Sequence, residues 1–545
     1  MDDTTTGGKF WYKNAIFYEV YLRAFQDGND DGHGDLSGLV DRLDYLQALG
    51  VDCIWLLPIY PSPLKDDGYD IADYYGIQST FGSLDDFKYL LEMAHARGMH
   101  LIMDLVLNHT SDQHNWFQEA RKSPQSPYRD YYVWSDTDQK YNQTRIIFLD
   151  TEPSNWTWDD TAGQYYWHRF YASQPDLNYD NPKVRAEMLK VMKFWLDLGI
   201  DGFRVDAAPY LFEREGTNCE NLPETHAYLK QIHQYVDENY PGRLLLAEAN
   251  QWPEDVRAYF GDSDEFQMGF HFPLMPRIFM AIRSGDRTSI VDILDRTPPI
   301  PGDCQWCVFL RNHDELTLEM VTEEERQWMW KEYAPEDRMR LNLGIRRRLA
   351  PLLDNDRRKI MLANSLLFTL GGSPIIYYGD EIGMGDNIWL DDRNGVRTPM
   401  QWTADANAGF SKCDPSRLYL PVIETPEYNP ALINVESQME DPDSLFHAIK
   451  HMISIRKQHP VFSQGRLEWF PTSSKAVIAY RRILDDEQIL ILNNLSEKFQ
   501  PLSISPNHIQ ARQVTDLLTG QITPIPSGKA LDLELSPYQS RWWQL

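Results

Sequence analysis

The chain of 545 residues carries 81 Asp and Glu side chains against 52 Lys and Arg, a formal net charge of −29 at pH 7. A chain of this length can form more than one domain, whereas its acidity argues against nucleic acid and anionic membranes as partners. Because no apolar run is long enough to span a bilayer and 13% of the residues are aromatic, we expect a globular protein with rings suited to sugar binding.

The N-terminus and the cysteines favour a cytoplasmic location. The first ten residues, "MDDTTTGGKF", are acidic and polar, so the sequence predicts no secretory signal. Five cysteines are too few for a disulfide framework in so long a chain, which favours a reducing compartment. Cys304 and Cys307 form a CxxC pair with no second pair, a pattern that does not favour zinc.

The dominant pattern along the chain is a strand-like apolar run followed by a run with helical spacing. In chain order the predicted strands are "AIFYEVYLRAF", "VDCIWLLPI", "HLIMDLVLNH", "DGFRVDAAP", "RLLLAEAN", "FQMGFHFPLM", "CVFLRNHD" and "SPIIYYGDE". Helical runs such as "LVDRLDYLQALG" and "NPKVRAEMLKVMKFWLDLG" alternate with them, and the stretch after "FQMGFHFPLM" reads as a helix near "SIVDILD". Eight such units predict an α/β fold of the (β/α)8, or TIM-barrel, type with parallel strands.

Three excursions from this pattern and one change of pattern give the expected domain boundaries. The barrel is predicted at 1–109 and 181–460, and an inserted subdomain at 110–180 follows strand 3. Insertions are predicted at about 318–356 after strand 7 and at about 380–435 after strand 8. A C-terminal antiparallel β domain of the sandwich type is predicted at 461–545. The insertion after strand 7 is charged and is expected to be helical. All three excursions leave the carboxyl ends of strands, the rim where barrel enzymes build active sites.

The stretch "DGNDDGHGDL", residues 27–36, has the oxygen spacing of a calcium loop. Its side-chain oxygens fall at positions 1, 3, 5 and 9, position 6 is glycine, and position 7 offers a backbone carbonyl. The residues at these positions are Asp27, Asn29, Asp31, Asp35 and, for the carbonyl, His33. Position 12 is Gly38 rather than Glu, and a strand precedes the loop, so we expect calcium on a scaffold other than an EF-hand. The alternative is an acidic, glycine-rich surface turn.

Polar side chains follow the predicted strands where each strand ends. They are Asp104, Asn108 and His109 after strand 3, Arg204 and Asp206 after strand 4, Glu248 after strand 5, and His313, Asp314 and Glu315 after strand 7. Because the carboxyl ends of parallel strands meet at one rim, these groups are expected to form one cluster. Salt bridges at the barrel mouth without catalysis are the alternative.

The segments "MDLVLNH", "GFRVDAA", "LLLAEAN" and "FLRNHDE" resemble the four sequence signatures of the α-amylase family of glycoside hydrolases and transglycosylases, and the resemblance covers nearly the whole chain. It implies a retaining double displacement by two carboxylates. By this resemblance Asp206 is the nucleophile, Glu248 is the acid/base, and Asp314 binds sugar hydroxyls. The pKa of Glu248 is expected to be raised by nearby carboxylates, so that it starts protonated.

The same resemblance implies roles for three neighbours of these carboxylates. Arg204, two residues before Asp206 on the same strand face, would keep that carboxylate ionised. His109 and His313 would donate hydrogen bonds to hydroxyls of the sugar ring.

The segment "DDGYD" resembles a D-x-G-Y element of family members that act on short sugars. The resemblance implies that Asp66 holds the non-reducing glucose and that Tyr69 stacks on it, although Tyr69 as simple core packing is an alternative. "RTPMQW", which begins at Arg397, is similar to a segment whose arginine pairs with that aspartate. Together they would close the pocket beyond one glucose. By the same resemblance, a small residue after the nucleophile, here Ala207, favours α-1,4 linkages.

Two longer strings, "PYLFEREGTNCENLPETH" at 209–226 and "NHDELTLEMVTEEE" at 312–325, resemble the trehalose synthase branch of the family. The resemblance implies reversible isomerisation of maltose to trehalose, with minor hydrolysis to glucose. The freed glucose would turn over inside the site and attack through its anomeric oxygen, so water must be excluded. The loop Glu213–Glu224 and the insertion after strand 7, with Glu315 as a substrate-binding residue, are the expected lids.

The resemblance also implies a second structural calcium site and certain partners. The implied calcium ligands are Asn108, Asp176, the carbonyls of Tyr210 and Leu211, and Glu213. A dimer or tetramer of the chain and a maltokinase partner fit the resemblance. Two other functions stay open: an exo-acting α-1,4-glucosidase with the same catalytic residues, and a non-catalytic partner subunit, which should have lost the triad and gained a membrane helix.

Overall fold

The computed structural model of the protein describes residues 8–545. The prediction of no secretory signal rests mainly on residues that lie outside this range. Within the described chain, no helix has the length and apolar character needed to cross a membrane.

Strands occur in four parts of the described chain: the barrel, the excursions after its third and seventh strands, and the C-terminal domain. In chain order they are β1 (Phe17–Val20), β2 (Cys53–Leu56), β3 (His100–Val106), β4 (Trp134–Ser135), β5 (Trp156–Asp159), β6 (Gln164–Trp167), β7 (Gly202–Asp206), β8 (Leu244–Ala247), β9 (Met268–Phe270), β10 (Gln305–Phe309), β11 (Leu316–Thr317), β12 (Arg340–Leu341), β13 (Gly344–Ile345), β14 (Ser373–Tyr377), β15 (Arg466–Trp469), β16 (Val477–Leu484), β17 (Glu487–Asn494), β18 (Gln500–Ile504), β19 (Gln513–Asp516), β20 (Ile522–Pro524), β21 (Leu531–Leu535) and β22 (Ser540–Gln544).

Helices alternate with these strands up to the start of the C-terminal domain. In chain order they are α1 (Leu22–Phe25), α2 (Leu36–Asp41), α3 (Leu43–Leu49), α4 (Leu84–Ala96), α5 (Asn115–Ala120), α6 (Pro182–Leu198), α7 (Pro223–Asn239), α8 (Pro253–Val256), α9 (Leu274–Ser284), α10 (Thr288–Arg296), α11 (Glu323–Tyr333), α12 (Leu349–Leu352), α13 (Arg357–Thr369), α14 (Val435–Glu440), α15 (Leu445–Gln458) and α16 (Val461–Gln464).

Eight parallel strands form a closed barrel in the order β1-β14-β10-β9-β8-β7-β3-β2. Closure occurs at β1, where Phe17 pairs with Ile375 of β14 on one side and with Cys53 of β2 on the other. The strands are buried almost throughout, because the barrel interior and the surrounding helices cover both faces of the sheet. The predicted (β/α)8 barrel is therefore confirmed.

The long barrel helices begin and end at residues suited to those positions. Ser83 and Asp86 form a reciprocal capping box at the start of α4. At α6, Asn181 caps the first turn, Pro182 follows it, and the helix ends at Gly199 with a φ of 105°, a conformation that costs glycine little. The helical run "NPKVRAEMLKVMKFWLDLG" therefore predicted α6 correctly.

Two barrel elements differ from the prediction. The apolar run predicted as strand 1 is a strand only as far as Val20, and Leu22–Phe25 forms a short helix. Helix Leu274–Ser284 was not predicted, since its first turn contains Pro276 and continues the apolar run of the strand before it. Proline is tolerated there because the first-turn N–H groups need no partner within the helix.

The excursion after β3 contains a small antiparallel sheet in the order β4-β6-β5. An isolated bridge from His109 to Asp176 attaches its return segment to the chain just after β3, and a bridge from Tyr132 to Leu177 lies within the excursion. The excursion after β10 contains helix α11, as expected, and also a three-stranded sheet in the order β11-β13-β12 that the sequence did not predict.

The C-terminal part is antiparallel, as predicted. One sheet has six strands in the order β15-β16-β17-β22-β19-β20, and a second pairs β18 with β21. The indole of Trp542 in β22 donates a hydrogen bond to Ser365 in α13 at 2.8 Å, which joins this domain to the outside of the barrel. The domain thus lies away from the strand ends that carry the candidate site.

Candidate active site

The guanidinium of Arg204 joins the candidate nucleophile to the candidate acid/base. Its Nη1 lies 2.5 Å from Oδ1 of Asp206, and its Nη2 lies 2.6 Å from Oε1 of Glu248. A third carboxylate, Asp104, accepts from Nη1 at 2.6 Å. Because one planar guanidinium binds both Asp206 and Glu248, these two carboxyl groups lie close together, as a retaining mechanism requires.

The strand order explains this grouping. Arg204 and Asp206 are two residues apart in β7, so both side chains point into the barrel. Glu248 follows β8, the neighbour of β7. Ala207 has a left-handed φ of 51°, which turns the chain sharply after the strand. In this conformation the N–H of Ala207 donates to Oε2 of Glu248 at 3.0 Å and fixes the second carboxyl oxygen.

The two carboxyls differ in acidity. Burial raises the pKa of Glu248 to about 8, although Arg204 opposes the shift, and the nearby Asp206 and Asp314 carboxylates contribute to it. Burial raises the pKa of Asp206 to about 6, and Arg204 limits the rise. Near neutral pH the pair therefore holds one proton, on Glu248, and leaves Asp206 ionised. An acid beside a nucleophile is the arrangement that acetal cleavage needs.

Asp314, after β10, is held by two arginines. Its Oδ1 accepts from Nη1 of Arg393 at 2.9 Å and from Nη2 of Arg397 at 3.1 Å. Burial alone would raise the pKa of Asp314, but the guanidinium groups of Arg393 and Arg397 hold it well below its usual range. Asp314 is therefore an anionic hydrogen-bond acceptor at the same rim as Glu248, and it lines the cavity.

The arginine partner of Asp66 differs from the one that the sequence predicted. Oδ1 of Asp66 accepts from Nη2 of Arg393 at 2.6 Å, whereas Nη1 of Arg397 pairs with Asp67 at 2.5 Å. The expected pairing of Arg397 with Asp66 is therefore wrong. A 3-10 turn, Asn394–Val396, brings both arginines to the same side, and the earlier one reaches the deeper carboxylate.

Tyr69, His109 and His313 come together beside Asp66, as the sequence predicted. Tyr69 lines the cavity, and its hydroxyl lies 2.9 Å from Nε2 of His313. The two rings are nearly parallel, at 8°, with centroids 5.4 Å apart. Burial lowers the pKa of His109 to about 3, so that ring is neutral at physiological pH. Tyr69 is buried as well as cavity-facing, which is why core packing was a reasonable alternative.

The cavity lies at the carboxyl ends of the strands, and both predicted and unpredicted residues line it. Among the predicted ones are Asp66, Tyr69, His109, Asp206, Tyr210, Glu248, Asp314 and Glu315; sequence analysis missed Ile147, Phe148, Phe170, Asn250, Phe272, Asn312, Thr317, Glu319 and Arg393. Most of the missed residues belong to the excursions after β3 and β10. Asn250 and Asn312 lie inside the quoted signature segments, and Thr317 and Glu319 lie inside the string at 312–325, so the sequence offered a signal for these four residues.

A polar cluster, which we call the roof, joins residues of three segments at the edge of this cavity, and Glu319 of the cluster lines the cavity. Arg145 of the inserted subdomain pairs with Glu220 of the loop after β7 at 2.8 Å and with Glu319 of the excursion after β10 at 2.9 Å. Asn250 donates to the same Glu319 carboxylate at 3.1 Å. The two segments expected to be lids therefore meet, and the inserted subdomain joins them.

A second contact between the same segments lies at Asn342. Its backbone N–H donates to Asp150 of the inserted subdomain at 2.7 Å, and its side chain donates to Oε1 of Glu315 at 3.2 Å. Burial raises the pKa of Glu315 to about 7, so this carboxyl lies near its titration point at neutral pH. Glu315 lines the cavity, consistent with the predicted contact with substrate.

In the first candidate calcium loop, the carboxylates bind the loop's own amides. Oδ1 of Asp27 accepts from the N–H of Asp30 at 2.7 Å, and Oδ2 accepts from that of Gly32 at 2.7 Å. Asp35 caps α2 through the N–H of Gly38 at 2.7 Å. Both a calcium loop and a surface turn allow these bonds, and residues 8–545 contain no group of three or more His, Cys, Asp or Glu arranged to hold a metal. Calcium at this loop stays a prediction.

The second candidate calcium site has three oxygens without partners. Oδ1 of Asn108, Oδ2 of Asp176 and Oε1 of Glu213 are all buried, and none forms a hydrogen bond. Burial raises the pKa of Asp176 to about 8 and that of Glu213 well above its usual range. Tyr210 and Leu211, whose carbonyls were expected to contribute, lie in the turn after β7. Converging unpaired oxygens are the donors that a hard cation prefers, so these residues fit calcium.

Comparison with known proteins agrees with this site. The model of the α-amylase catalytic domain matches residues 19–465, and that of the maltogenic amylase C-terminal domain matches residues 467–542. A trehalose synthase from Pimelobacter sp. (strain R48) is 55% identical, over 98% of this chain and 96% of its own. Trehalose synthase/amylase TreS from Mycobacterium tuberculosis is 59% identical, over 91% of this chain and 83% of its own.

Solved structures give the same result at lower identity. The trehalulose synthase MutB from Pseudomonas mesoacidophila MX-45 superposes with a TM-score of 0.79 at 30% identity, covering 98% of this chain and 99% of that one. An α-amylase from H. orenii superposes with the same score, identity and coverage. With the barrel, the triad at its rim and a matching catalytic-domain model over most of its length, this chain belongs to the α-amylase family.

Proposed function

We propose that the protein is a trehalose synthase, an isomerase that interconverts maltose and trehalose by intramolecular glucosyl transfer. The relatives that carry this name match nearly the whole chain at 52–59% identity. The observation that carries the proposal is the roof made by Arg145, Glu220 and Glu319. It adjoins a pocket that is lined by the candidate acid, the candidate nucleophile and Glu319.

The first step cleaves the α-1,4 bond of maltose. Glu248 gives its proton to the glycosidic oxygen, and Asp206 attacks the anomeric carbon with inversion to form a β-glucosyl ester. Arg204 keeps Asp206 ionised before attack. Asp66 and Arg393 hold the far side of the donor glucose, and the anionic Asp314 accepts from its hydroxyls in the oxocarbenium-like transition state.

The second step uses the glucose that was just released. This glucose turns over inside the pocket and presents its anomeric hydroxyl to the ester. Glu248, now ionised, takes the proton from that hydroxyl as the oxygen attacks, and Asp206 leaves with a second inversion. Two inversions retain the α configuration of the donor, and attack by the α anomer gives the α,α-1,1 bond of trehalose.

The free glucose needs polar partners while it turns. Asn250, Thr317 and Glu319 offer hydrogen-bonding groups in the cavity lining, and Glu315 adds a carboxyl. Phe148 and Phe170 present apolar ring faces on which a pyranose can pack. A mixed lining of this kind allows several orientations of one sugar without opening the roof.

An exo-acting α-1,4-glucosidase is the alternative, because it would use the same triad with water as acceptor. The roof favours isomerisation, since a glucosidase gains nothing by delaying the departure of glucose and the entry of water. A non-catalytic partner subunit is disfavoured by the complete triad. Within the described chain, the membrane helix expected of such a subunit is also absent.

Calcium and the partners of the protein belong to the proposal as well. We place a structural ion at Asn108, Asp176 and Glu213, where it would tie the inserted subdomain to the turn after β7. The ion would have no part in the chemistry. A further ion at residues 27–35, a cytoplasmic location, a dimer or tetramer, and a maltokinase partner remain predictions.

Incubation with maltose alone tests the proposed function. The anomeric protons are followed by NMR while the substrate is consumed. Growth of the α,α-1,1 signal with little free glucose is the expected result. Glucose as the only product would leave the triad assignment intact but would assign the protein to the glucosidases.

A further inference from the structure

Glu19 is a buried carboxyl in β1 that the proposed mechanism does not use. The residue is fully buried, and it does not line the cavity. Its Oε1 accepts from the backbone N–H of His313 at 3.1 Å and lies 2.6 Å from Nδ1 of the same ring. Its Oε2 is buried with no hydrogen-bond partner. Since an unpaired carboxyl oxygen is costly to bury, stability alone does not account for this group.

The contacts of His313 show what Glu19 controls. Oε1 already accepts from the backbone N–H of His313, so it acts as the acceptor in the short contact as well, and a ring proton is assigned to Nδ1. The other nitrogen, Nε2, is then directed toward the hydroxyl of Tyr69 at 2.9 Å and toward Oδ2 of Asp314 at 3.3 Å. A single oxygen of Glu19 thus binds the main chain and the side chain of His313 and leaves its ring one orientation.

Tyr69 depends on that orientation. Its ring lies parallel to the His313 ring and lines the cavity next to Asp66. The phenol has one other polar neighbour, Oδ1 of Asp104, at the longer distance of 3.3 Å. The hydroxyl of Tyr69 is therefore held mainly by Nε2 of His313, and a rotated His313 would release the ring face that meets the sugar.

We infer that Glu19 is a positioning residue of the donor-glucose subsite. It fixes the proton and the ring of His313, and through His313 it fixes the ring of Tyr69. The inference rests on the proposed function only in that the subsite formed by Asp66 and Tyr69 binds glucose. Glu19 touches no substrate, so its effect passes through its two contacts with His313.

Two substitutions separate positioning from packing. In Glu19→Gln the amide oxygen can still accept from both N–H groups of His313, whereas in Glu19→Leu neither bond can form. We expect Glu19→Leu to weaken glucose binding, measured by calorimetry, about tenfold and to raise the KM for maltose similarly, and Glu19→Gln to weaken both less than about threefold. Equal effects of the two variants, or unchanged binding in Glu19→Leu, would overturn the inference.

Glu381 provides a matched control. It is also a fully buried carboxyl at the barrel, one of its oxygens has no partner, and the other accepts from Tyr18 at 2.8 Å and from Tyr45 at 2.5 Å rather than from His313. We expect Glu381→Leu to change the melting temperature without changing glucose binding. A loss of glucose binding equal to that of Glu19→Leu would mean that any buried carboxyl lost from the barrel has this effect, and the inference would fail.

A spectroscopic measurement tests the inference without the Glu19→Leu variant, which is informative only if it folds. In protein labelled with ¹⁵N-histidine, the His313 signals are assigned by their loss in His313→Gln. The proton is expected on Nδ1, and the same signal should persist in Glu19→Gln. A proton on Nε2 with a bare Nδ1 would overturn the inference. Neither glucose binding nor the NMR signal of His313 depends on the formation of trehalose. A protein that binds glucose but forms no trehalose would therefore refute the proposed function and leave this inference intact.

Discussion

Arg145 and Glu319 come from different excursions of the barrel, and their side chains meet at 2.9 Å beside the cavity that Glu319 lines. Arg145 also pairs with Glu220 at 2.8 Å, so one guanidinium joins three segments that the chain order keeps apart. The side chain of Arg145 is about one-third exposed, at 35%, so the contact faces solvent and can open without breaking the core. A roof that opens at low cost and closes over the sugar fits an enzyme that must admit maltose and then exclude water.

Loss of the roof contact should convert isomerisation partly into hydrolysis. We expect Arg145→Ala to raise the fraction of glucose among the products about fivefold or more, because water then reaches the glucosyl ester. The fraction is measured by NMR after complete conversion of maltose.

Arg121 offers the control for this variant. It lies in the same subdomain, pairs with Asp159 at 2.7 Å, is 30% exposed, and has no contact with the cavity lining. Arg121→Ala should leave the product ratio unchanged. A similar rise in glucose for both variants would trace the effect to loosening of the subdomain rather than to the roof.

Removal of the nucleophile should abolish all turnover. We expect Asp206→Ala to lower kcat by about 10⁴-fold or more for both isomerisation and hydrolysis, because both reactions pass through the same ester. The rates of trehalose and glucose formation from maltose are measured separately. Isomerisation that survived in Asp206→Ala while hydrolysis was lost would refute the assignment of the nucleophile.

The pH dependence of kcat/KM should be bell-shaped. Activity rises with pH as Asp206, whose pKa is raised to about 6, loses its proton and becomes a nucleophile. It falls as Glu248, whose pKa is raised to about 8, loses the proton that the leaving oxygen needs. Since the two carboxyls interact, the apparent pKa values of the two limbs belong to the pair rather than to either residue.

The basic limb can be tested separately. An activated donor such as glucosyl fluoride needs little acid assistance for the first step. The rate of its initial cleavage should therefore decrease much less at high pH than the rate with maltose. The rate is followed by fluoride release in the first turnover. An equally large decrease in rate at high pH with glucosyl fluoride would show that a group other than Glu248 causes the basic limb.

Calcium should stabilise the protein through Asn108, Asp176 and Glu213. We expect chelation to lower the melting temperature on the order of 5 °C and added Ca²⁺ to restore it, because the ion binds the folded state alone. In Asp176→Asn the calcium-dependent shift should be small or absent. A full shift in Asp176→Asn that disappears in Asp31→Asn would assign the ion to the first loop instead.

The sequence predicted the barrel and the triad because their signals are local. Asp206 and Glu248 each end an apolar strand, and parallel strands bring such ends to one rim. The roof and the partner of Asp66 could not be predicted in this way. Arg145 lies in an irregular segment, and its partners are fixed only when two excursions fold over the same rim. Arg393 rather than Arg397 pairs with Asp66 because the 3-10 turn between the two arginines determines which carboxylate each can contact. The spacing of residues in the sequence does not reveal this turn.

The most direct test of the proposed function asks whether the released glucose ever leaves the site. Maltose is converted in the presence of a large excess of ¹³C-labelled glucose, and the trehalose formed is examined for the label by NMR. Trehalose without label is the expected result, since the roof of Arg145 and Glu319 retains the glucose of each maltose until the new bond forms. Trehalose with one labelled ring would show exchange with solvent and would contradict an intramolecular transfer.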